Sequence, residues 1–323
     1  MSFRKIFLNL YLKTIKNFSH GKGYGKKNKL INSVVHGIES SLKTNYANVW
    51  AGKMFLHPND AYRLSIYGIH GSHDLKIFKD NVKDGDNVVD LGANIGYFTL
   101  ILAKLVGPTG HVFAFEPDPR NLVLLKKNIE YNNYKNVTII PKAVSNVNDK
   151  CTLYVGQKSF GQNTIYKPEK RKNQKFLVVD SETIRLDDFF KMNSLFDKIS
   201  FMKMDIEGAE FLALDGMKEI LKLNQNIKIF TEVDPHYLED AGTSYEQFID
   251  LLMENNFTLS ISDNRNETLT RVNSSQLGKI LNDDAGPMNI LCVRELNCWF
   301  KGSLSLIYLK KMCFNVENYI AKY

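Results

Sequence analysis

The sequence has few cysteines and no long hydrophobic run. Its four cysteines form neither a CxxC pair nor a His/Cys cluster with zinc-ligand spacing; they are Cys151, Cys292, Cys298 and Cys313. This usage favours a reducing compartment, which we take to be the cytoplasm, where cysteine serves as a small apolar residue. No apolar stretch approaches the ~18 to 20 residues that a membrane-spanning helix needs. The sequence therefore predicts no such helix.

Acidic residues are absent before Glu39, although this segment contains eight basic residues: Arg4, Lys5, Lys13, Lys16, Lys22, Lys26, Lys27 and Lys29. Removing these eight from the 42 basic residues leaves 34 against 35 acidic residues, so the net charge of +7 lies in the N-terminal arm. A general nucleic-acid binder carries a basic surface on its folded body. The charge distribution thus makes nucleic acid an unlikely partner.

Residues 1–29 are predicted to form a basic amphipathic helix followed by a Gly- and Lys-rich linker. Apolar and aromatic positions recur at helical spacing in the opening MSFRKIFLNLYLKTIKNF. We favour packing of the apolar face on the body of the protein. Peripheral contact with an anionic membrane surface is the alternative.

Strand-like and helix-like segments alternate from residue 81 onwards. The first strands, NVVDL and HVFAFE, are almost continuously apolar, as strands covered by helices on both faces are. This alternation predicts an α/β fold with a mostly parallel, doubly wound sheet and an antiparallel pair near its edge. We place a lead-in at 30–80, the main domain at 81–295 with a β-rich insertion at about 146–198, and a tail at 296–323.

Ligands of open α/β sheets bind beyond the carboxyl ends of the strands. The turn after the first strand contains Asp90, Gly92, Asn94 and Gly96. A dinucleotide fold would have G-x-G-x-x-G here. The preceding carboxylate instead suits a ligand that bears an ammonium or sulfonium group and no phosphate, which favours S-adenosylmethionine over NAD. Glu116, at the end of the second strand, is a candidate for binding ribose hydroxyls, or alternatively for capping the helix that begins near Pro119.

The fourth and fifth strands end in further polar residues. Lys203, Asp205 and Glu207 follow the fourth, and Glu232 and His236 follow the fifth. Asp205 and Glu207 are the first candidates for accepting a proton from a substrate hydroxyl; an ion-paired strand end with a helix cap is the alternative. Lys203, Glu232 and His236 are weaker candidates for substrate contact. No metal-ligand set is indicated, and a divalent metal stays open.

Four segments together resemble the FkbM family of S-adenosylmethionine-dependent methyltransferases: VVDLGANIGYFTL, FAFEPDPRNLVLLKKNIEYNN, LDDFF and MKMDIEGAEFLALDGM. The resemblance covers roughly residues 80–295. It implies a Rossmann-like class I methyltransferase fold with a seven-stranded sheet, and O-methylation of a small molecule, sugar or glycan. It also implies cofactor contacts: the methionine part at Asp90, Gly92, Asn94 and Gly96, the ribose at Glu116 beside Pro117, and the adenine near Ser145 or Asn146.

Three other functions stay open at this stage. A ribose 2′-hydroxyl methyltransferase acting on RNA also uses Lys, Asp and Glu, but its body should be basic. A catalytically silent adaptor at a membrane surface would use the basic arm and the apolar, Lys-containing tail WFKGSLSLIYLKKMCF. A dehydrogenase would bind NAD tightly. The sequence leaves the acceptor and the oligomeric state undetermined.

Overall fold

The computed structural model describes residues 8, 10–12, 29–59, 63–157, 161–168, 175–264, 266–282 and 286–294. The helices in this part of the chain are α1 (Lys29–Leu42), α2 (Leu64–Tyr67), α3 (Ser72–Asn81), α4 (Tyr97–Val106), α5 (Pro119–Tyr131), α6 (Leu186–Met192), α7 (Glu210–Asp215), α8 (Lys218–Leu223), α9 (Pro235–Asp240), α10 (Tyr245–Glu254) and α11 (Ser274–Asn282). The strands are β1 (Tyr46–Val49), β2 (Gly52–Phe55), β3 (Asn87–Leu91), β4 (His111–Phe115), β5 (Val137–Ile140), β6 (Ala143–Val144), β7 (Lys150–Gly156), β8 (Phe176–Ile184), β9 (Ile199–Met204), β10 (Lys228–Val233), β11 (Phe257–Asp263), β12 (Thr268–Val272) and β13 (Met288–Arg294).

An eight-stranded sheet in the order β12-β11-β13-β10-β9-β3-β4-β5 forms the centre of the molecule. The strands from β10 to β5 are parallel, and β13, β11 and β12 are added antiparallel. The α/β class, the parallel sheet and the antiparallel pair are confirmed. The chain moves outwards from β3 to β5 and then returns to β9 on the other side of β3. The strand order therefore reverses at the carboxyl ends of β3 and β9, where such folds bind ligands.

The count of seven strands is one too low. The additional strand is β12, which pairs with β11 at the edge of the sheet. Its sequence TLTRV is exposed at four of five positions. A short edge strand facing water has no buried face, so it lacks the apolar alternation by which strands are recognised in a sequence.

Helices cover both faces of the sheet, and successive strand residues point into two separate cores. Val89 and Leu91 of β3 pack in one core with α6, α7, α8, α10 and α11. Val88 packs in the other with α3, α4 and α5. All three side chains are fully buried. Burial of a large apolar side chain contributes roughly 1.5 to 3 kcal/mol, so these cores hold the carboxyl edge of the sheet in place.

The predicted β-rich insertion contains β7 and β8, which pair antiparallel. Lys150 lies opposite Glu182 at one end of the pair, and Gly156 lies opposite Phe176 at the other. With β6 they form a separate three-stranded sheet. Helix α6 was predicted within the same segment, but Leu186 and Phe190 are fully buried in the core of the main sheet. The segment thus leaves the main fold as strands and returns to it as a helix. The domain boundaries themselves stay a prediction.

The predicted N-terminal helix and the tail lie outside the described residues, apart from residues 8 and 10–12. Within this short piece, Tyr11 is buried and packs with Leu42 and Ile66. Its hydroxyl donates to Glu39 Oε1 at 3.0 Å. For this one residue, the packing is the one expected from an arm that lies on the body. No helix of the described chain is both long enough and apolar enough to cross a membrane.

Candidate functional site

Two adjoining clefts lie at the carboxyl ends of β3, β4, β9 and β10. The first cleft, of about 850 Å³ including space open to solvent, lies between the turn after β3, Glu116 and the insertion residues Leu153 and Asn163. The second cleft, of about 1300 Å³ by the same measure, extends from His57 and His70 to Glu232 and Tyr237. The two clefts share seven lining residues: Asn94, Ile95, Phe98, Gly161, Lys203, Asp205 and Glu207.

The glycine-containing turn forms one wall of the first cleft. Gly92 has a φ of 76°, and a Cβ added there would overlap the carbonyl oxygen of Asp205. Asn94 also has a positive φ, of 51°. Both residues line the cleft, but Gly96 does not. At Gly96 a Cβ would lie 2.7 Å from Leu125 Cδ1, so this glycine permits close packing of α4 and α5.

Asp90 lies behind this turn and is fully buried, outside the lining of either cleft. Its Oδ2 accepts a hydrogen bond from Thr99 Oγ1 at 2.6 Å. Its Oδ1 lies 3.5 Å from Lys203 Nζ. From the sequence, this carboxylate was expected to contact the cofactor directly. The structure places it where it joins β3 to α4 and β9 instead.

Glu116 is 96% buried, and its carboxylate is held by three donors beside the first cleft. Oε2 accepts from the Asn94 amide at 2.7 Å, and Oε1 accepts from the Asp118 amide at 2.9 Å and from Asn121 Nδ2 at 3.3 Å. Burial raises the pKa of Glu116 to about 7, although the hydrogen bonds oppose this rise. Pro117 lines the same cleft.

The helix cap that was the alternative role of Glu116 is made by Asp118. The Asp118 side chain accepts from the Arg120 amide at 2.9 Å at the start of α5. Glu116 is thus left facing the cleft. This arrangement favours the prediction that it binds a ligand hydroxyl.

The predicted adenine contacts do not line the first cleft. Ser145 is 97% buried, and its amide donates to the Ile184 carbonyl at 3.1 Å. Asn146 donates through Nδ2 to Asp215 Oδ2 at 2.8 Å. Residues just before them line this end of the cleft, together with residues of the insertion: Lys142, Ala143, Val144, Leu153 and Ile165. The apolar members of this set, all but Lys142, suit a flat aromatic ring, but the insertion carried no pattern that marked its own residues.

Lys203 is an internal cation at the boundary of the two clefts. Its side chain is 4% exposed and lies 3.5 Å from Asp90 and 3.6 Å from Asp205, measured between charged atoms. Nζ also donates to the Gly92 carbonyl at 3.1 Å. Burial acts to lower the pKa of Lys203, but Asp205 and Asp90 outweigh it, and the net direction is upward. The ammonium group therefore fixes the glycine turn. The ion-paired strand end, which was the alternative role for this strand end, is present as the pair of Lys203 with Asp205.

The turn after β9 brings Asp205 and Glu207 together, and its backbone is not extended. Glu207 has a φ of 55° and Gly208 one of 106°. Glu210 holds the turn, because its carboxylate accepts from the amides of Ile206 at 2.9 Å and Gly208 at 3.0 Å. Burial raises the pKa of Glu210 to about 7. Glu210, rather than Glu207, is thus the residue that organises this turn.

Glu232 joins these carboxylates at the edge of the second cleft. Oxygen atoms of Asp205, Glu207 and Glu232 lie within 4.8 Å of one another. Burial, followed by the charges of Asp205 and Glu210, raises the pKa of Glu232 to about 8. In the described part of the chain, this trio could hold a hard divalent cation, which prefers oxygen ligands.

His236 is exposed and lies outside both clefts, with its amide donating to Asp234 Oδ1 at the start of α9. Two other histidines, His57 and His70, line the second cleft. Burial lowers the pKa of both. Neither histidine was predicted from the sequence, because both lie in the lead-in segment, which has no strand-end signal.

Comparison with known proteins identifies the family. The model of the methyltransferase FkbM domain matches residues 90–259, which is more than half of the chain. "Methyltransferase 1" of Beauveria bassiana is 25% identical over 184 residues, covering 51% of this chain and 72% of the relative. Methyltransferase sdnD of Sordaria araneosa is 27% identical over 195 residues, covering 50% and 75%. The crystal structure of methyltransferase FkbM from Methylobacillus flagellatus has a TM-score of 0.38 at 13% identity, covering 81% of this chain and 59% of that one. The chain belongs to the FkbM family of S-adenosylmethionine-dependent methyltransferases.

Proposed function

We propose that the enzyme methylates a hydroxyl group of a small molecule or glycan, with S-adenosylmethionine in the first cleft and the acceptor in the second. The observation that carries this proposal is the common boundary of the clefts, where Asn94, Lys203, Asp205 and Glu207 line both. Transfer of a methyl group needs donor and acceptor to meet in line, which is largely a matter of positioning. Two clefts that share one set of lining residues allow the donor and the acceptor to approach each other in this way.

The first cleft has polar groups that the donor needs. Glu116 offers a buried carboxylate for the ribose hydroxyls, and Gly92 leaves room for close approach to the backbone. When bound, S-adenosylmethionine supplies an electrophilic methyl group on its sulfonium centre. Asp90 supports this wall from behind through Lys203.

Methylation of a hydroxyl also requires an acceptor for its proton. Asp205 and Glu207 line the boundary and are the proposed proton acceptors. Because burial lowers the pKa of His70, its imidazole is neutral near pH 7 and can also take a proton. Glu232 holds its own proton at this pH, since its pKa is about 8. We therefore assign Glu232 to acceptor binding rather than to proton removal.

The charge of the second cleft favours a hydroxylated acceptor over RNA. Five acidic residues line it, of which Glu232 keeps its proton near pH 7: Asp74, Asp205, Glu207, Glu232 and Asp234. Lys203 is the lysine in its lining, and this ammonium group is already paired with Asp90 and Asp205. Phosphate groups would be repelled by this surface. Hydroxyl groups would instead donate hydrogen bonds to the carboxylates, as the hydroxyls of a sugar can.

The test is to incubate the protein with extracts of small metabolites, glycans and RNA and with S-adenosylmethionine carrying a deuterated methyl group. Mass spectrometry should find the labelled methyl group on an oxygen of a small molecule or glycan. The Asp205→Asn variant should lose at least 90% of this label, whereas His236→Ala, outside both clefts, should retain it. Label found on RNA would contradict the acceptor class. Full activity of Asp205→Asn would contradict the role of Asp205.

A further inference from the structure

We propose that residues 161–165 act as a clamp that couples the two substrate sites, with Asn163 positioning the donor site and Gln162 positioning the acceptor site. This inference rests on the proposed function. The clamp is anchored to the insertion at Thr164, which is 97% buried. Its amide donates to the Tyr154 carbonyl at 3.1 Å and its carbonyl accepts from the Tyr154 amide at 2.8 Å. Before this bridge to β7, Gly161 lines both clefts, Gln162 lines the second and Asn163 lines the first.

Asn163 connects the clamp to the end of β4. Its Nδ2 donates to Asp118 Oδ2 at 2.9 Å, and its Oδ1 accepts from the Gly156 amide at 3.2 Å. Asp118 is fully buried and forms an ion pair of 2.8 Å with Arg120. The Arg120 guanidinium donates to the Gly156 carbonyl at 3.2 Å, which closes the network. The part of the first cleft's wall that Asn163 forms is therefore held by Asp118, two residues after Glu116.

Gln162 connects the clamp to the other side of the site. Its Nε2 donates to Tyr237 Oη at 3.3 Å, and both side chains line the second cleft. Tyr237 belongs to α9, which directly follows β10. Gly161 lines both clefts. Three consecutive residues thus contact the first cleft, the second cleft and the boundary between them.

Because residues 161–163 contact both clefts, binding of a ligand in one cleft affects binding in the other. A methyl donor that packs against Asn163 stabilises residues 161–163 in this arrangement, in which Gln162 already contacts Tyr237. The acceptor site then fluctuates less, so less conformational entropy is lost when the acceptor binds. By linkage, acceptor binding tightens donor binding by the same factor.

The experiment uses the full chain and S-adenosylhomocysteine as the probe, so that no acceptor is needed. Calorimetry should give Asn163→Ala a Kd about ten-fold higher than that of the native protein. Asn163→Asp should raise the Kd further, because it places a second carboxylate against Asp118. The matched control is Asn148→Ala, which removes an Asn side chain of the same insertion, bonded to Asp188 and outside both clefts. Its Kd should stay within two-fold of the native value.

Hydrogen exchange tests the coupling. The probe should slow amide exchange in residues 161–165 and in α9 of the native protein. Gln162→Ala should bind the probe within two-fold of the native affinity but lose the slowed exchange in α9. The proposal is overturned if Asn163→Ala and Asn163→Asp bind normally, or if the probe leaves exchange in α9 unchanged in the native protein. Failure of the native protein to bind the probe would contradict the donor site itself.

Discussion

Lys203 and Asp90 form an ion pair beneath the first cleft, with Nζ 3.5 Å from Oδ1 and with side chains 4% and 0% exposed. The pair joins β3 to β9, the two strands between which the strand order reverses. Lys203 also donates to the carbonyl of Gly92. This buried charge pair thus holds the backbone of the turn that lines the first cleft. Asp90 and Lys203, which both belong to the segments that resemble the family, shape the cleft by positioning this backbone.

Replacement of Lys203 by Met should strongly destabilise the protein. Loss of the ammonium group leaves Asp90 buried without its charge partner, and such changes cost about 3 to 5 kcal/mol. The free energy of unfolding, measured in urea, should fall by this amount. The double variant Lys203→Met with Asp90→Asn should recover part of the loss, because the uncompensated charge is removed.

Lys218→Met is the matched control for this effect. Lys218 pairs with Asp215 at 2.5 Å, but these side chains are 63% and 28% exposed. Water screens such a pair, so its loss should cost less than about 1 kcal/mol. Equal losses for the two lysine variants would contradict the importance assigned to the buried pair.

Replacement of Glu116 by Gln should weaken binding of S-adenosylhomocysteine about 10- to 100-fold. Glutamine keeps one acceptor oxygen, but its amide group would face the N–H groups of Asn94 or Asp118 that now donate to the carboxylate. Hydrogen bonds to charged groups contribute about 1.5 to 3 kcal/mol. Calorimetry measures the change. Glu130→Gln, on the exposed side of α5, should bind normally; native affinity in Glu116→Gln would contradict the proposed ribose contact.

The fold and the strand-end carboxylates were predictable from the sequence because they follow periodic rules. Apolar runs marked β3 and β4. Glu116 and Asp205 are the residues directly after the ends of β4 and β9, so their positions could be predicted once the strands were recognised. The direction of a side chain was less accessible. Asp90 was expected at the cleft, but the last residues of a strand alternate between faces, and its face is occupied by Thr99 and Lys203.

The insertion and the lead-in were the least predictable parts of the site. His70 reaches the second cleft from the segment before α3, and Asn163 reaches the first from a loop of the insertion. Their positions depend on contacts between residues far apart in sequence, such as Asn163 with Asp118. No local pattern encodes such contacts, so only the three-dimensional structure identifies these residues.

Three acidic residues with raised pKa values, the buried Glu116 and Glu210 and the partly buried Glu232, should make the ligand-free protein less stable as the pH rises. Burial raises the pKa of Glu116 and Glu210 to about 7, and that of Glu232 to about 8, from a usual value of 4.5. Between these values the folded state binds more protons than the unfolded state, so stability falls with increasing pH. This contribution is complete below pH 4.5 and is lost as the pH passes through 7 to 8.

The free energy of unfolding should therefore be lower at about pH 8 than at about pH 5.5. Glu232→Gln should reduce the part of this fall that occurs above about pH 6.5, because the variant has no proton to lose there. Glu130→Gln is again the control, since its exposed side chain should leave the slope unchanged. A stability that rises over this interval in the native protein would contradict the burial of these carboxylates.

Gly208 should be required for the turn that presents Asp205 and Glu207, the proposed proton acceptors. Its φ is 106°, and a Cβ would overlap the carbonyl oxygen of Tyr237 in α9. Gly208→Ala must therefore displace either the turn or α9, and we expect kcat to fall about 100-fold while the Kd of S-adenosylhomocysteine changes less than about three-fold, since a misplacement of about 1 Å can cost this much rate.

Gly242→Ala separates this steric effect from backbone strain alone. Gly242 also has a positive φ, of 76°, but no atom lies within 4 Å of the position of its Cβ. This variant should lose about 1 kcal/mol of stability through strain and keep its kcat, measured with the acceptor found by isotope labelling. If Gly208→Ala also kept its kcat, the turn would tolerate displacement. Asp205 and Glu207 would then not depend on a fixed geometry between β9 and α9, and the assignment of proton removal to them would fail with it.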